Sequence, residues 1–279
     1  ILQAKHILQE TGMQSFRPLL PLLLNLKGKP YSLIDHFPFE PIFRTRVPRK
    51  TVIMAGRQVA KSSGLASHGI VQSNCTPYYS TLYIAPRFET IRRFSQNYVR
   101  PFIETSPVRG LFVSSKTVNS VLQREFLNHS KMQFSFAFLD VERIRGVASD
   151  SNCYDEIQDL DKDFIPIIRE TMSASKFSIE KFCGTPKGLE NTIQMLHNDS
   201  SQAEWCIPCL KCKHLNVPCL SHDLDEMIGP YRDDISEESP GIVCGKCHKH
   251  VFPRLGRWIH KYPERRWSFA GYRIPQIIM

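Results

Sequence analysis

Apolar residues in this chain fall in short unbroken runs. Residues 51–55 (Thr-Val-Ile-Met-Ala) and 81–85 (Thr-Leu-Tyr-Ile-Ala) carry no charge. A run that is apolar at every position predicts a strand buried on both faces, the habit of parallel sheets. Residues 61–73, directly after the first run, predict a helix. Residues 88–103 space Phe88, Ile91, Phe94, Tyr98 and Phe102 along one helical face, a stripe suited to a core. Residues 131–138 alternate, with Met132, Phe134, Phe136 and Phe138 on one side, and predict a strand with one face buried. Further on, 152–154 and 177–182 predict strands and 164–172 a helix. Ahead of all these, residues 1–50 form a lead-in, with a short helix over 4–10 and an extended approach broken by Pro38, Pro41 and Pro48. Strands alternating with helices predict an α/β fold, a parallel sheet with helices on both faces.

Ligands on such sheets sit at the carboxyl ends of strands. The loop after the first run is Gly56-Arg57-Gln58-Val59-Ala60-Lys61-Ser62-Ser63. It is laid out as a phosphate-binding loop, with backbone N–H groups and a helix N-terminus facing the anion. Lys61 then meets the β- and γ-phosphates of ATP, and Ser62 is a ligand for Mg²⁺. Both glycines of the usual G-x-x-x-x-G-K-[ST] pattern are alanine here, Ala55 and Ala60, and Gly56 supplies flexibility one place later. Alanine at 60 costs little if its φ is negative and ~1 kcal/mol if it is positive. After residues 152–154 comes Asp155-Glu156. Such a pair holds Mg²⁺ with the Asp and polarises the attacking water with the Glu. The plainer alternatives are a basic strand–helix turn and a solvated acidic run, since Asp159, Asp161 and Asp163 follow.

Charge adds a partner. The net charge is +9, and residues 1–110 hold 15 Lys/Arg against 5 Asp/Glu. A basic first segment suits a polyanion such as DNA. Of nine cysteines, six lie between 206 and 247. Cys209-Leu-Lys-Cys212 and Cys244-Gly-Lys-Cys247 form two C-x-x-C knuckles, the pattern of a closed, structural Cys₄ zinc site. Cys206, Cys219, His214, His248 and His250 are read as neighbours and not ligands; Trp205 and Trp258 are read as packing residues of the ribbon, with base stacking as the alternative. This divides the chain into 1–50, an ATPase core over 51–204, a zinc ribbon over 205–255 and a return to the core over 256–279. No stretch is long and apolar enough for a membrane span; 19–26 is interrupted by Pro21. No leader is expected, and a chain that starts at Ile1 and stops at Met279 reads as a fragment of a longer protein.

Gly-Arg-Gln-x-x-Lys-Ser, Asp-Glu-Ile-Gln-Asp and, at 184–186, Gly-Thr-Pro together resemble the ATPase domain of the large terminase subunit of tailed bacteriophages. Ala85-Pro86-Arg87 and Arg145-Gly146 add to the resemblance, which runs from about Pro41 to Met279. It implies a P-loop ATPase of the ASCE/RecA-like type whose cofactors are ATP and Mg²⁺, with Zn²⁺ in a ribbon insertion. Lys61, Glu156 and Arg57 would act in catalysis, and residues 56–63 with Asp155 would bind nucleotide and metal. Thr185 would couple hydrolysis to movement, and Arg145, or next Arg143, would act on a neighbouring subunit's site. The implied partners are double-stranded DNA, other copies of the chain in a ring, the portal protein and the small terminase subunit, in host cytoplasm and transiently at the capsid portal. The family continues into a nuclease domain, which is not expected here. Two other readings stay open: a superfamily-2-type helicase fragment, and a zinc-ribbon nucleic-acid module with a dead nucleotide site.

Overall fold

A computed structural model describes residues 15–137, 141–188, 190–219, 221–228 and 242–279. The helix expected over 4–10 and Phe138 lie outside the described residues. Ten strands form one sheet: β1 (Lys50–Ala55), β2 (Ser80–Ala85), β3 (Gln123–Glu125), β4 (Lys131–Phe136), β5 (Ser151–Tyr154), β6 (Ile179–Gly184), β7 (Ala203–Pro208), β8 (Leu215–Asn216), β9 (Arg257–His260) and β10 (Phe269–Ile274). The spatial order is β8-β7-β10-β1-β6-β5-β2-β4-β3, with β9 paired to β7. From β10 to β4 every pairing is parallel, and the antiparallel partners sit at the two ends.

Burial explains why the first two runs lack charged residues. In β1, Ile53 and Ala55 join the core on one face, and Val52 and Met54 join a second core on the other. The first core holds helix α1 (Lys61–Cys75), through Leu65, Ala66, Ile70 and Val71. The second takes Ile165 and Ile168 from α2 (Phe164–Arg169) and Ile193 from α3 (Thr192–Asp199). Helices therefore cover both faces, as expected for strands that are apolar at every position.

Local differences from the pattern have physical causes. Residues 88–104 are helical throughout, but Ser95–Val99 is a π-turn between two α segments. Ile91, Phe94 and Phe102 are buried as the stripe predicts, whereas Phe88 is half exposed and meets Phe136 edge to face. The strand predicted over 177–182 starts two residues later, after Ser178 at φ +46°. β5 looked polar, and it is fully buried. Asn152 is satisfied there by the Ile168 carbonyl (3.1 Å), the Ser149 hydroxyl (2.7 Å) and the Thr171 hydroxyl (3.0 Å).

The turn between β1 and α1 has two left-handed residues, Gln58 (φ +59°) and Ala60 (φ +60°), around a buried Val59. Ala60 thus sits where an L side chain is strained by roughly 1–2 kcal/mol. Glycine would remove that strain but would cost about 0.4–1 kcal/mol through a freer unfolded chain. Ala60→Gly is therefore expected to leave the denaturation midpoint unchanged or raise it slightly, measured with urea. A fall of more than about 1 kcal/mol would show that the alanine methyl makes a contact the loop needs.

Candidate active site and cysteine cluster

Three loops leave the carboxyl ends of β1, β6 and β5, which lie side by side. β6 separates β1 from β5, so their backbones stand roughly 10 Å apart, two strand spacings. Lys61, first residue of α1, spans the gap: its ammonium donates to Thr185 Oγ1 at 2.8 Å and lies 3.5 Å from Glu156 Oε1. The structure thereby brings together Lys61, Thr185 and Glu156. Ser62 and Ser63 are half-buried and, with Gln58, Val59 and Ala60, line a cavity of about 730 Å³ beside Tyr98 of the π-turn. Gly56 N–H donates to the Ile274 carbonyl (2.9 Å), which fixes the start of the loop against β10. Arg57 is exposed on the loop.

Asp155 and Glu156 differ sharply in setting. Asp155 is buried, and the Tyr83 hydroxyl donates to its Oδ2 while the Glu156 N–H donates to Oδ1 at 3.0 Å. Burial raises its carboxyl above the usual range, and the Tyr83 hydrogen bond opposes the rise. Tyr83 is itself held flat against Phe94, with ring centroids 3.8 Å apart. Burial, followed by the Asp155 charge, pushes its phenol well up, so it stays a donor. Glu156 has φ +50°, an uncommon conformation for a residue with a side chain. Strain of this kind gathers at functional sites, where the surroundings enforce it. Asp161 and Asp163 are exposed, and Asp159 pairs with Lys187, so the acidic run beyond the pair is ordinary surface.

Gln158 joins these groups, a role its sequence position does not announce. Its Nε2 donates to Glu156 Oε2 at 2.6 Å, and its Oε1 accepts from the Thr185 N–H at 3.1 Å. Gly184 makes the approach possible, since a Cβ there would lie 2.1 Å from Gln158 Oε1. Lys61, Glu156, Gln158 and Thr185 form a closed ring of contacts. In the sequence Gln158 stood out only as part of the Asp-Glu-Ile-Gln-Asp phrase, with no role attached. Tyr83, on a strand read as simply buried, gave no cue. Arg145 is not in this group: it is exposed, with an ion pair to Glu142 at 3.1 Å, and the Arg143 guanidinium lies over the Phe136 ring at 5.0 Å.

Oxygen donors such as the Ser62 hydroxyl and the Asp155 carboxylate suit a hard cation, so the residues present fit Mg²⁺. A Lys ammonium at the N-terminus of α1 suits the phosphates of a nucleotide.

The four C-x-x-C cysteines converge elsewhere. Their sulfurs all lie within 4.8 Å of one another, with Cys209–Cys247 and Cys212–Cys244 at 3.6 Å. Four sulfurs at ~2.3 Å from one Zn²⁺ would be spaced about 3.8 Å apart, so the donor set fits a tetrahedral ion. The two knuckles share one backbone pattern. Cys209 N–H donates to His214 O and Lys213 N–H to Cys209 O; Cys244 N–H donates to Lys249 O and His248 N–H to Cys244 O. The residue after each second cysteine is left-handed: Lys213 (φ +62°) and His248 (φ +55°). Asn216 ties the halves together, donating to Ile207 O (2.9 Å) and accepting from Gly245 N–H (2.8 Å). His214 is 3.1 Å from Asp223, Cys206 contacts Glu204 O, and Cys219 contacts Ser221, which leaves none of these three in the sulfur cluster. Trp205 and Trp258 stand edge to face at 5.1 Å, on β7 and β9, the strands by which the segment leaves and rejoins the sheet.

Comparison with known proteins agrees with this geometry. The crystal structure of the HK97 bacteriophage large terminase is similar with a TM-score of 0.54 at 10% identity, covering 66% of this chain and 40% of that one. The chain thus spans two fifths of that protein's length. The ATPase domain of the Thermus phage P74-26 large terminase is similar with a TM-score of 0.51 at 14% identity, covering 93% of this chain and 84% of that one. At such identities the likeness shows the fold, that of a P-loop ATPase. No curated protein matches the chain. The family model for the ATPase domain of the phage terminase large subunit gpA matches residues 39–258, most of the chain, and the chain therefore belongs to that family.

Proposed function

We propose that this chain binds and hydrolyses Mg·ATP and uses the cycle to drive double-stranded DNA into a capsid. The observation that carries this reading is the closed set Lys61–Glu156–Gln158–Thr185 at the ends of three adjacent strands. Lys61 would move from Glu156 and Thr185 to the phosphates. Ser62 and Asp155 would hold Mg²⁺, which supplies positive charge at the phosphate oxygens. Glu156, released from the ammonium, would orient a water and take its proton. Gln158 would keep the Glu156 carboxylate aimed and report its position to the Thr185 backbone. Arg57 sits on the exposed lip of the loop, where it would meet phosphate or a neighbouring subunit. Arg145, exposed and outside the chain's own site, would serve a neighbour in a ring. The excess of basic residues in 1–110 supports a phosphate-tracking, sequence-indifferent hold on duplex DNA. The same reading brings in the portal protein and the small terminase subunit as partners, and places the chain in host cytoplasm and transiently at the portal. Among the described residues no helix is long and apolar enough to cross a membrane. Ala60 already holds the left-handed conformation the loop needs, which weighs against a dead nucleotide site.

The reading is tested by ATPase turnover with and without duplex DNA. Glu156→Gln should retain nucleotide binding and lose turnover by about 10²-fold or more, and Lys61→Ala should lose both. Near-normal turnover in the Glu156 variant would place water activation elsewhere.

Gln158→Ala should lower kcat by about tenfold, ~1.4 kcal/mol of barrier, with KM and thermal midpoint nearly unchanged. A matched rise in KM with constant kcat would mean that Gln158 serves binding and not the orientation of Glu156.

We assign the cysteine segment, 205–255, to a structural Zn²⁺ held by Cys209, Cys212, Cys244 and Cys247. Metal analysis should give about one zinc per chain, and strong chelation should unfold this segment because binding and folding are coupled in such modules. Nucleotide affinity should survive chelation, since every motif loop lies before residue 190. Loss of ATP binding on chelation would refute the independence of the two sites.

A further inference from the structure

A second cavity lies on the β7–β9–β10 side of the sheet. It has a volume of about 660 Å³ and shares no lining residue with the cavity at that loop. One wall is the 3₁₀ segment Phe37–Phe43, and the other is the edge of the sheet formed by β7, β9 and β10. The floor is a run of aromatic rings in successive contact. Phe37 meets Trp205 at 5.1 Å, Trp205 meets Trp258 at 5.1 Å, Trp258 meets Tyr272 at 4.9 Å, and Tyr272 meets His260 at 5.7 Å. Gly256 lets the chain cross this floor, since a Cβ there would lie 2.2 Å from Trp205 Nε1.

The rim is cationic. Arg17, Arg44, Arg254, Arg257 and Arg266 all line the cavity, against one carboxylate, Glu40. Glu40 is taken by Arg44 at 3.1 Å, and Arg254 is taken by Asp35 at 2.7 Å. Arg17, Arg257 and Arg266 have no carboxylate within ion-pair reach among the described residues. The field of the rim is felt on the floor. His260 is driven down to about 4 by burial first, then by Arg266 and Arg44, so the imidazole is neutral. The Trp258 indole N–H is buried and has no acceptor among the described residues.

Apolar rings on one side and unneutralised guanidinium groups on the other match one ligand chemistry. We propose that this cavity binds a nucleotide unit, with its base against the Trp258 and Tyr272 rings and its phosphate on Arg257 and Arg266. Aromatic faces stack any base, and arginines take the phosphate with paired N–H donors. The volume falls within the range of small-molecule sites, roughly 300–1,000 Å³. The ligand could be a free nucleotide or an unpaired nucleotide of a DNA strand. The proposal does not rest on the ATPase reading, because no residue of the phosphate loop takes part.

The test uses the tryptophans. The chain has three, and two line the cavity, so Trp267→Phe leaves Trp205 and Trp258 as the only indole emitters. Emission of the full chain carrying this change is titrated with thymidine 3′,5′-bisphosphate, the single strand dT8, a blunt 20-base-pair duplex and inorganic phosphate. Saturable quenching by the bisphosphate or dT8 is expected, and about tenfold weaker binding once Arg257→Ala and Arg266→Ala are combined. That double variant should keep its thermal midpoint, and Lys61→Ala should leave the quenching intact. Fluorescein-labelled dT8 followed by anisotropy repeats the measurement without any tryptophan change. Equal affinity for the bisphosphate and dT8 identifies a free nucleotide as the ligand, and at least tenfold tighter dT8 identifies a DNA strand. The proposal is overturned by absence of quenching, by phosphate competing as well as the bisphosphate, by binding confined to the duplex, or by indifference to the arginine changes.

Discussion

The Lys61 ammonium holds together three loops that the backbone alone would leave independent. Those loops start from β1, β5 and β6, and the parallel register of these strands brings all three to one end of the sheet. The separation of β1 and β5 by a third strand decides which side chain can do the joining. A lysine at the first turn of α1 is long enough to reach Thr185 and Glu156 at once. A shorter side chain there could not meet both. The strained backbone at Gln58, Ala60 and Glu156 aims these groups inward, and the buried Val59 and the Ile274 carbonyl keep the first loop in place. The left-handed residues belong to the same arrangement as the ammonium.

Much of this was legible in the order of residues. Runs without charged residues marked β1 and β2, because strands covered on both faces tolerate few polar groups. The phosphate loop and the Asp-Glu pair were visible because their chemistry demands particular side chains at fixed offsets from a strand end. The cysteine knuckles were visible for the same reason. Gln158 and Tyr83 were not, because each acts through a contact made across the sheet, 27 residues away for Gln158 and Thr185 and 72 for Tyr83 and Asp155. Residue type at such positions is set by geometry that only the folded chain supplies. β5 was obscured in the opposite way: Asn152 looked like surface and is a satisfied core residue. Trp205 and Trp258 stood out in the sequence, but the cavity they share with the arginines did not, since its walls come from residues 17–44, 205 and 254–272.

The cysteine segment is tied into the sheet and not hung beside it. β7 enters it and β9 leaves it, and β7 also pairs in parallel with β10, the neighbour of β1. Two strands thus lie between the knuckles and β1, and their facing residues include the Arg273–Glu204 ion pair at 3.2 Å. Burial pushes the Glu204 carboxyl up to about 7 while the Arg273 charge opposes it, so this joint holds a charge pair poorly served by solvent.

The amide of Gln158 has a direction. One end can only give a hydrogen and the other can only receive one. In the observed arrangement the giving end faces a carboxylate and the receiving end faces a backbone N–H. Turning the amide over would set oxygen against oxygen and hydrogen against hydrogen. The connection between Glu156 and the Thr185 loop therefore has a fixed orientation. Through this one side chain the Glu156 carboxylate in one loop is tied to the backbone of another.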